Sequence, residues 1–222
     1  IAGMRKAAEI LDFPVVSGNV SLYNETDGGA ILPTPVIGGV GVVPDVSKHA
    51  TVAFKKAGEA IVLVGETTGW LGQSIYLREI ERREEGAPPP VDLDVEKANG
   101  DFTRGLIEQN LVSACHDLSD GGIAVAVAEM ALASTGLGAA LDISGEMPAH
   151  AQMFGEDQAR YLVTTDDPEI VTGKARAANV PAYVIGHVSD DGQLTLGPGD
   201  SISLDMLRSG HEGWLPCYMR GA

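Results

Sequence analysis

The chain has 222 residues, 44% of them apolar and 21% charged, a composition of globular domains able to bury about 70% of their unfolded surface without staples. A formal charge of −16 argues against a nucleic-acid backbone or an anionic membrane as the main partner, while leaving room for a small phosphorylated ligand held by backbone N–H groups. The two cysteines, Cys115 and Cys217, form no spaced framework and point to a reducing cytoplasm; the best apolar run, 122–133, contains Glu129 and falls short of the ~20 residues a membrane helix needs.

In chain order, Met4, Ala7, Ala8 and Leu11 have helical spacing, and Pro14 bars the helix from continuing. The opening reads as the later part of a helix, so the stretch is expected to be cut from the middle of a longer protein. Val15 and Val16 begin an expected strand that ends at Gly18, and a second is expected over 35–43. A domain boundary is placed near Lys48. The run 59–66 predicts a buried strand, 70–83 a helix, and the proline-rich 86–90 an extended segment, because each proline restrains its predecessor. A helix follows near 95–109. "LVSACHDLSDGG" carries a short strand into a turn, and from Gly121 the apolar stretch reads as a buried helix that Gly136 is placed to end. A strand over 161–165, a helix over 168–178 and a strand over 182–188 complete the pattern. Strands and helices mix without strict alternation, which predicts an α+β fold.

Three places have residues suited to chemistry. At "SGNVS", Gly18 lets backbone N–H groups approach a phosphate, and the amide oxygen of Asn19 is a hard neutral ligand of the kind Mg²⁺ accepts beside phosphate oxygens and waters. Ser21 projects to the same side as Asn19 in an extended segment. An Asx turn with a solvated hydroxyl accounts for the same residues. At "HDLSDGG", Ser119 or Asp120 can cap the helix, and Gly121 and Gly122 leave its first N–H groups uncovered for an anion or for tight packing. His116 and Asp117 are a candidate acid–base pair, and Cys115 reads as a small buried thiol. At "FGEDQARYLV", Glu156, Asp157, Gln158 and Arg160 precede a strand; a solvated loop is the default expectation there.

The ordered set "SGNVSLYNET", "PTPVIGGVG", "GAPPPVDL", "HDLSDGGIAVAVAEMALAS", "FGEDQARYLVTT" and "HEGWLPCYM" resembles the C-terminal part of the formylglycinamide ribonucleotide amidotransferase (phosphoribosylformylglycinamidine synthase) family, in its small bacterial synthetase form. The family belongs to the aminoimidazole-ribonucleotide-synthetase-like superfamily. The resemblance implies that residues 1–47 finish the second ATP-binding-type domain and that 48–222 form the second, α+β layered partner domain. It implies an ATP-dependent C–N ligase of purine biosynthesis that joins formylglycinamide ribonucleotide to glutamine-derived ammonia, with Mg²⁺ as cofactor. A glutaminase subunit and a small accessory subunit are the implied partners, with neither nucleic acid nor membrane among them. Carried over by residue, Gly18 resembles an ATP contact, Asn19 a Mg²⁺ ligand and Ser21 a substrate contact. No catalytic residue is implied within this stretch, which alone is expected to turn nothing over. Where the family's first partner domain holds substrate with Glu–Ser–Gln, the second-copy position here reads Glu156–Asp157–Gln158, a departure for which the resemblance implies no substrate-holding role. A rival reading is a non-catalytic scaffold half that binds a structural nucleotide and partner subunits.

Overall fold

The computed structural model describes residues 1–20, 24–142, 145–197 and 199–221, which divide into two compact units, Ile1–Ser47 and Lys48–Ala222. In the first, helix α1 (Ala2–Ile10) forms where the apolar spacing places it, with an Arg5–Glu9 ion pair one turn apart. It ends at Leu11, and Asp12 takes a left-handed φ of 52°. Strands β1 (Glu25–Thr26) and β2 (Gly29–Ala30) pair around Asp27–Gly28, whose φ values of 52° and 79° suit the two central residues of a primed hairpin turn.

The strands expected at 15–18 and 35–43 do not form among the described residues. An apolar run becomes a strand only where a neighbouring backbone offers ladder partners. Here Val16 and Val40 are 91% and 97% exposed, with no ladder beside them.

The second unit is an α+β layered structure. Its elements are β3 (Ala60–Val64), α2 (Ile75–Glu79), α3 (Leu93–Glu108), β4 (Ala114–Asp117), α4 (Gly122–Leu132), β5 (Gly138–Leu141), α5 (Ala149–Phe154), β6 (Tyr161–Thr165), α6 (Pro168–Ala177), β7 (Ala182–Ser189), β8 (Gln193–Leu196), β9 (Ser201–Ser203) and α7 (Leu204–Met219). The seven strands lie in the order β4-β6-β3-β7-β5-β8-β9, antiparallel throughout except for β5 beside β8.

Alternation along β3 sends Ile61 and Leu63 into one apolar layer and Val62 and Val64 into the other. The first layer is closed by α4, through Ile123, Ala126, Val127 and Met130, with Leu204 of α7. The second is closed by α3 and α6, through Leu106, Val171 and Ala175. Each of the larger side chains contributes roughly 1.5–3 kcal/mol before conformational entropy is counted. A strand buried on both faces has to be apolar at every position, which is why β3 reads as an unbroken run.

The helix expected over 70–83 shrinks to the five residues of α2. Gln73 has φ 60°, and Gly72 lies against the Ala87 carbonyl so closely that a Cβ would stand 2.4 Å from its oxygen. Residues 70–73 therefore serve the packing of the 85–87 segment, and Ser74 caps the short helix that remains. The short elements β5, α5, β8 and β9, and the long α7, are additions to the elements expected from the sequence.

Candidate functional site

Gly18 and Asn19 lie after α1 in the stretch 13–20, which forms neither helix nor strand, both exposed within their unit. A Cβ built at Gly18 meets nothing within 4 Å, so the backbone there is open to an approaching group. Ser21, the third residue of the expected site, lies outside the described residues. Among the described residues no group of three or more His, Cys, Asp or Glu side chains could hold a metal ion. The amide oxygen of Asn19 is by residue type a hard neutral donor of the kind Mg²⁺ accepts beside phosphate oxygens and water.

The "HDLSDGG" stretch folds differently from its sequence reading. The α4 N-cap is Gly121, at φ 78°, and neither Ser119 nor Asp120 caps it with a side chain. The Ser119 carbonyl accepts from Gly122 N–H instead. Both glycines are demanded by close approach. A Cβ at Gly121 would lie 2.3 Å from Val125 Cγ2, and one at Gly122, at φ 62°, would lie 2.5 Å from the Gly155 carbonyl oxygen. The anion at this helix start is the protein's own: Gly121 N–H donates to Glu156 Oε1 at 2.8 Å.

His116 does not form the acid–base pair that its neighbour suggested. Its Nε2 lies 2.9 Å from Glu129 Oε2, while its Nδ1 faces the Asp117 carbonyl oxygen at 2.6 Å and the Asp117 carboxylate only at 3.6 Å. Glu129 is the single carboxylate on the apolar α4, and that isolation is the signal that marks it as partnered. Cys115 points to the opposite layer, beside the Val163 cluster. Burial, with a smaller contribution from the Asp117 charge, pushes its thiol up to about 11, so it stays protonated and unreactive near neutral pH.

Residues 155–160, expected as a solvated loop, form a polar hub instead. Arg160 is wholly buried; its Nε donates to the Asp157 carbonyl at 3.0 Å, its Nη1 to Thr67 Oγ1 at 3.0 Å and its Nη2 to the Gly155 carbonyl at 2.6 Å. Burial lowers the Arg160 pKa, and the Asp157 and Glu156 charges oppose that shift. The Asp157 carboxylate accepts from Thr68 Oγ1 and from Gly69 N–H, and Glu156 Oε1 accepts from Ile75 N–H at 2.9 Å. Asn99 of α3 donates to the Ala159 carbonyl at 2.8 Å, supporting a residue held at φ 58°. The hub's partners outside the turn lie 35 to 93 residues away in sequence, so spacing gives no hint of them.

Beside the hub is a cleft of about 250 Å³ lined by Glu96, Asp117, Ser119, Gln158 and Tyr161, among others. Burial, then the Glu96 charge, pushes the Tyr161 phenol up to about 12. The two carboxylates disfavour an anion in this cleft, and the cation in its lining, Arg160, is engaged with the Asp157 and Gly155 carbonyls and Thr67. Of the expected site residues, then, Gly18 and Asn19 are neighbours in the first unit, and the second unit supplies polar groups already engaged with one another.

A family model described as "AIR synthase related protein, C-terminal domain" matches residues 56–197. The phosphoribosylformylglycinamidine synthase subunit PurL of Azorhizobium caulinodans is 54% identical over 222 residues, covering 99% of this chain and 30% of that protein. The corresponding subunit of a Bradyrhizobium species is 56% identical over 225 residues, covering 100% and 30%. The chain thus spans about a third of the length of these relatives. Among solved structures, PurL of Thermotoga maritima complexed with FGAR superposes with a TM-score of 0.62 at 19% identity, covering 73% of this chain and 30% of that one. The same organism's PurL complexed with ATP gives 0.58 at 20%, covering 73% and 27%. At such identity these two likenesses establish the fold alone.

Proposed function

This chain belongs to the AIR synthase related protein family through its C-terminal domain, and from that premise we propose that it is part of an ATP-dependent ligase of purine biosynthesis, the one that converts formylglycinamide ribonucleotide to its amidine. The observation that carries the reading is the 54–56% identity to synthase subunits along essentially the whole chain. In the proposed reaction the carbonyl oxygen of the substrate's glycinamide group takes the γ-phosphoryl group of ATP and ADP leaves, the formyl group being kept. Ammonia then adds to the activated carbon, phosphate departs with its oxygen, and a proton is lost to give the amidine. Ammonia would come from glutamine through a glutaminase subunit, with a small accessory subunit in the same assembly.

Residues 1–47 would finish an ATP-binding-type domain and 48–222 form its partner domain. Within that division the uncovered N–H groups around Gly18 would bind a phosphate oxygen, and Ser21 would orient the ribonucleotide. The Asn19 amide oxygen would hold Mg²⁺, whose chemistry when bound is neutralisation of charge on the transferring phosphoryl group. Each of these residues would position groups for transfer, and none would exchange a proton with the reacting atoms.

Asn19→Ala in the full-length protein tests the assignment. The expected result is an activity loss of roughly 10- to 100-fold at limiting Mg²⁺, partly recovered at high Mg²⁺, with an unchanged circular dichroism spectrum. Unchanged activity at both Mg²⁺ concentrations would remove Asn19 from the site.

The scaffold reading draws on one specific observation, that the Glu156, Asp157 and Arg160 side chains are consumed by internal hydrogen bonds. It applies to 48–222 and is compatible with a working nucleotide site at Gly18–Asn19. Loss of subunit capture without loss of nucleotide binding, after changes confined to 48–222, would favour it.

A further inference from the structure

Two segments far apart in sequence, 68–75 and 118–121, are held by one short turn. Residues 156 and 157 fix the first segment at four points. Glu156 N–H donates to the Trp70 carbonyl at 2.8 Å, Gly69 N–H donates to Asp157 Oδ2 at 3.0 Å, Thr68 Oγ1 donates to Asp157 Oδ1, and Ile75 N–H donates to Glu156 Oε1 at 2.9 Å. The second segment is fixed by Gly121 N–H on that same Glu156 oxygen and by Leu118 N–H on the Arg160 carbonyl at 2.9 Å. One carboxylate oxygen therefore closes the N-termini of both α2 and α4.

The first segment also reaches outward. Trp70 Nε1 donates to the Ala87 carbonyl at 3.0 Å, Gln73 N–H to the Glu85 carbonyl at 3.0 Å, and Gln73 Nε2 to the Gly86 carbonyl at 2.9 Å. Residues 81–88, with the charge pattern "ERREE" followed by Gly–Ala–Pro, are exposed. At the other end, Asp117, Leu118 and Ser119 form one wall of the 250 Å³ cleft, and Gln158, Ala159 and Arg160 form the next.

We infer that Glu156 is a positioning residue that relays the state of the exposed 85–87 segment, through 70–75, to the 118–121 segment, whose Leu118 and Ser119 belong to the wall of the cleft. The reason is physical. A charged acceptor shared by two N–H donors is held in place by each for the benefit of the other, so loosening one donor lets the carboxylate move and weakens the second bond. The inference depends on the hub alone and stands or falls apart from the assignment of Gly18 and Asn19.

Amide hydrogen exchange on the whole chain tests it. Glu156→Ala is expected to accelerate exchange at both Ile75 and Gly121 by about tenfold or more, the loss of one charge-assisted hydrogen bond at each, while amides of β3 and β6 keep their rates. Glu156→Gln, which keeps the shape and one acceptor oxygen, is expected to accelerate the same two amides by a smaller factor, and carries the comparison alone should the alanine variant fail to fold. Trp70→Phe, a change at the outer end, is expected to accelerate Gly121 where Glu156 is present and to add a smaller factor in the Glu156→Gln background, where the shared acceptor is weakened. Acceleration at Ile75 with Gly121 unmoved would overturn the relay, as would an equal effect of Trp70→Phe in both backgrounds.

Discussion

Arg160→Ala is expected to lower the unfolding free energy of the chain by about 3–5 kcal/mol, read as a fall in the urea midpoint at constant slope. Its side chain is wholly buried and serves three acceptors from three positions, the carbonyls of Gly155 and Asp157 and the hydroxyl of Thr67. Truncation removes the packing of the stem and leaves those acceptors in a place that water enters poorly. It also leaves the nearly buried Asp157 carboxylate, 3.8 Å from Nη1, without its cation. Lysine would not restore the loss, since a point charge cannot span three acceptors set around a planar fork. A loss below about 1 kcal/mol would mean that the hub reorganises freely and is not the fixed element described here.

Gly122→Ala is expected to cost about 2–4 kcal/mol by the same measurement. About 1–2 kcal/mol comes from placing an L side chain at φ 62°, and the rest from a methyl group driven to within 2.5 Å of the Gly155 carbonyl oxygen and 2.9 Å of that of Met153. Both neighbours are backbone, so neither can swing aside. Gly136→Ala separates the two contributions: its φ is 77° but a Cβ there meets nothing within 4 Å, so only the conformational part should appear. Equal losses at the two positions would show that crowding at the start of α4 is relieved by movement of the 153–155 segment.

Much of the second unit is legible in the sequence, and what is legible shares a cause. β3, β6, β7, α3, α4 and α6 are long or largely buried, so their apolar pattern is set by the layer they face, and the short β4 is marked by the turn that follows it. The expected strand over 161–165 and the buried helix from Gly121 fall where they form, and the α+β fold class stands. The failures are equally physical. The valine runs of the first unit have strand composition but no ladder among the described residues, and composition cannot supply a partner. The 70–83 segment has helical periodicity that Gly72 and Gln73 break for the sake of a contact with 85–87, fourteen or so residues on.

The candidate sites divide along the same line. Gly121–Gly122 is conspicuous in the sequence, but its reason, close packing under Gly155 and a bond to Glu156, comes from a turn more than thirty residues away. Glu156–Asp157–Gln158 reads as solvated because charged residues usually are; Gln158 is indeed exposed, whereas for Asp157 a buried arginine three residues on supplies the compensation that makes burial possible. Gly18 and Asn19 are the opposite case. Their chemistry is suggested by residue type and by an ordered resemblance spanning the chain, and the open backbone at Gly18 leaves space for the proposed phosphate.

The most direct test of the central claim is the position of the divalent ion in the full-length protein. With ATP bound and Mn²⁺ in place of Mg²⁺, the anomalous scattering of a crystal is expected to show a peak at bonding distance, about 2.1 Å, from the Asn19 amide oxygen, with a phosphate oxygen completing the contact beside Gly18. A fully occupied metal–nucleotide complex bound elsewhere, with the Asn19 amide facing solvent or neighbouring side chains, would contradict the account.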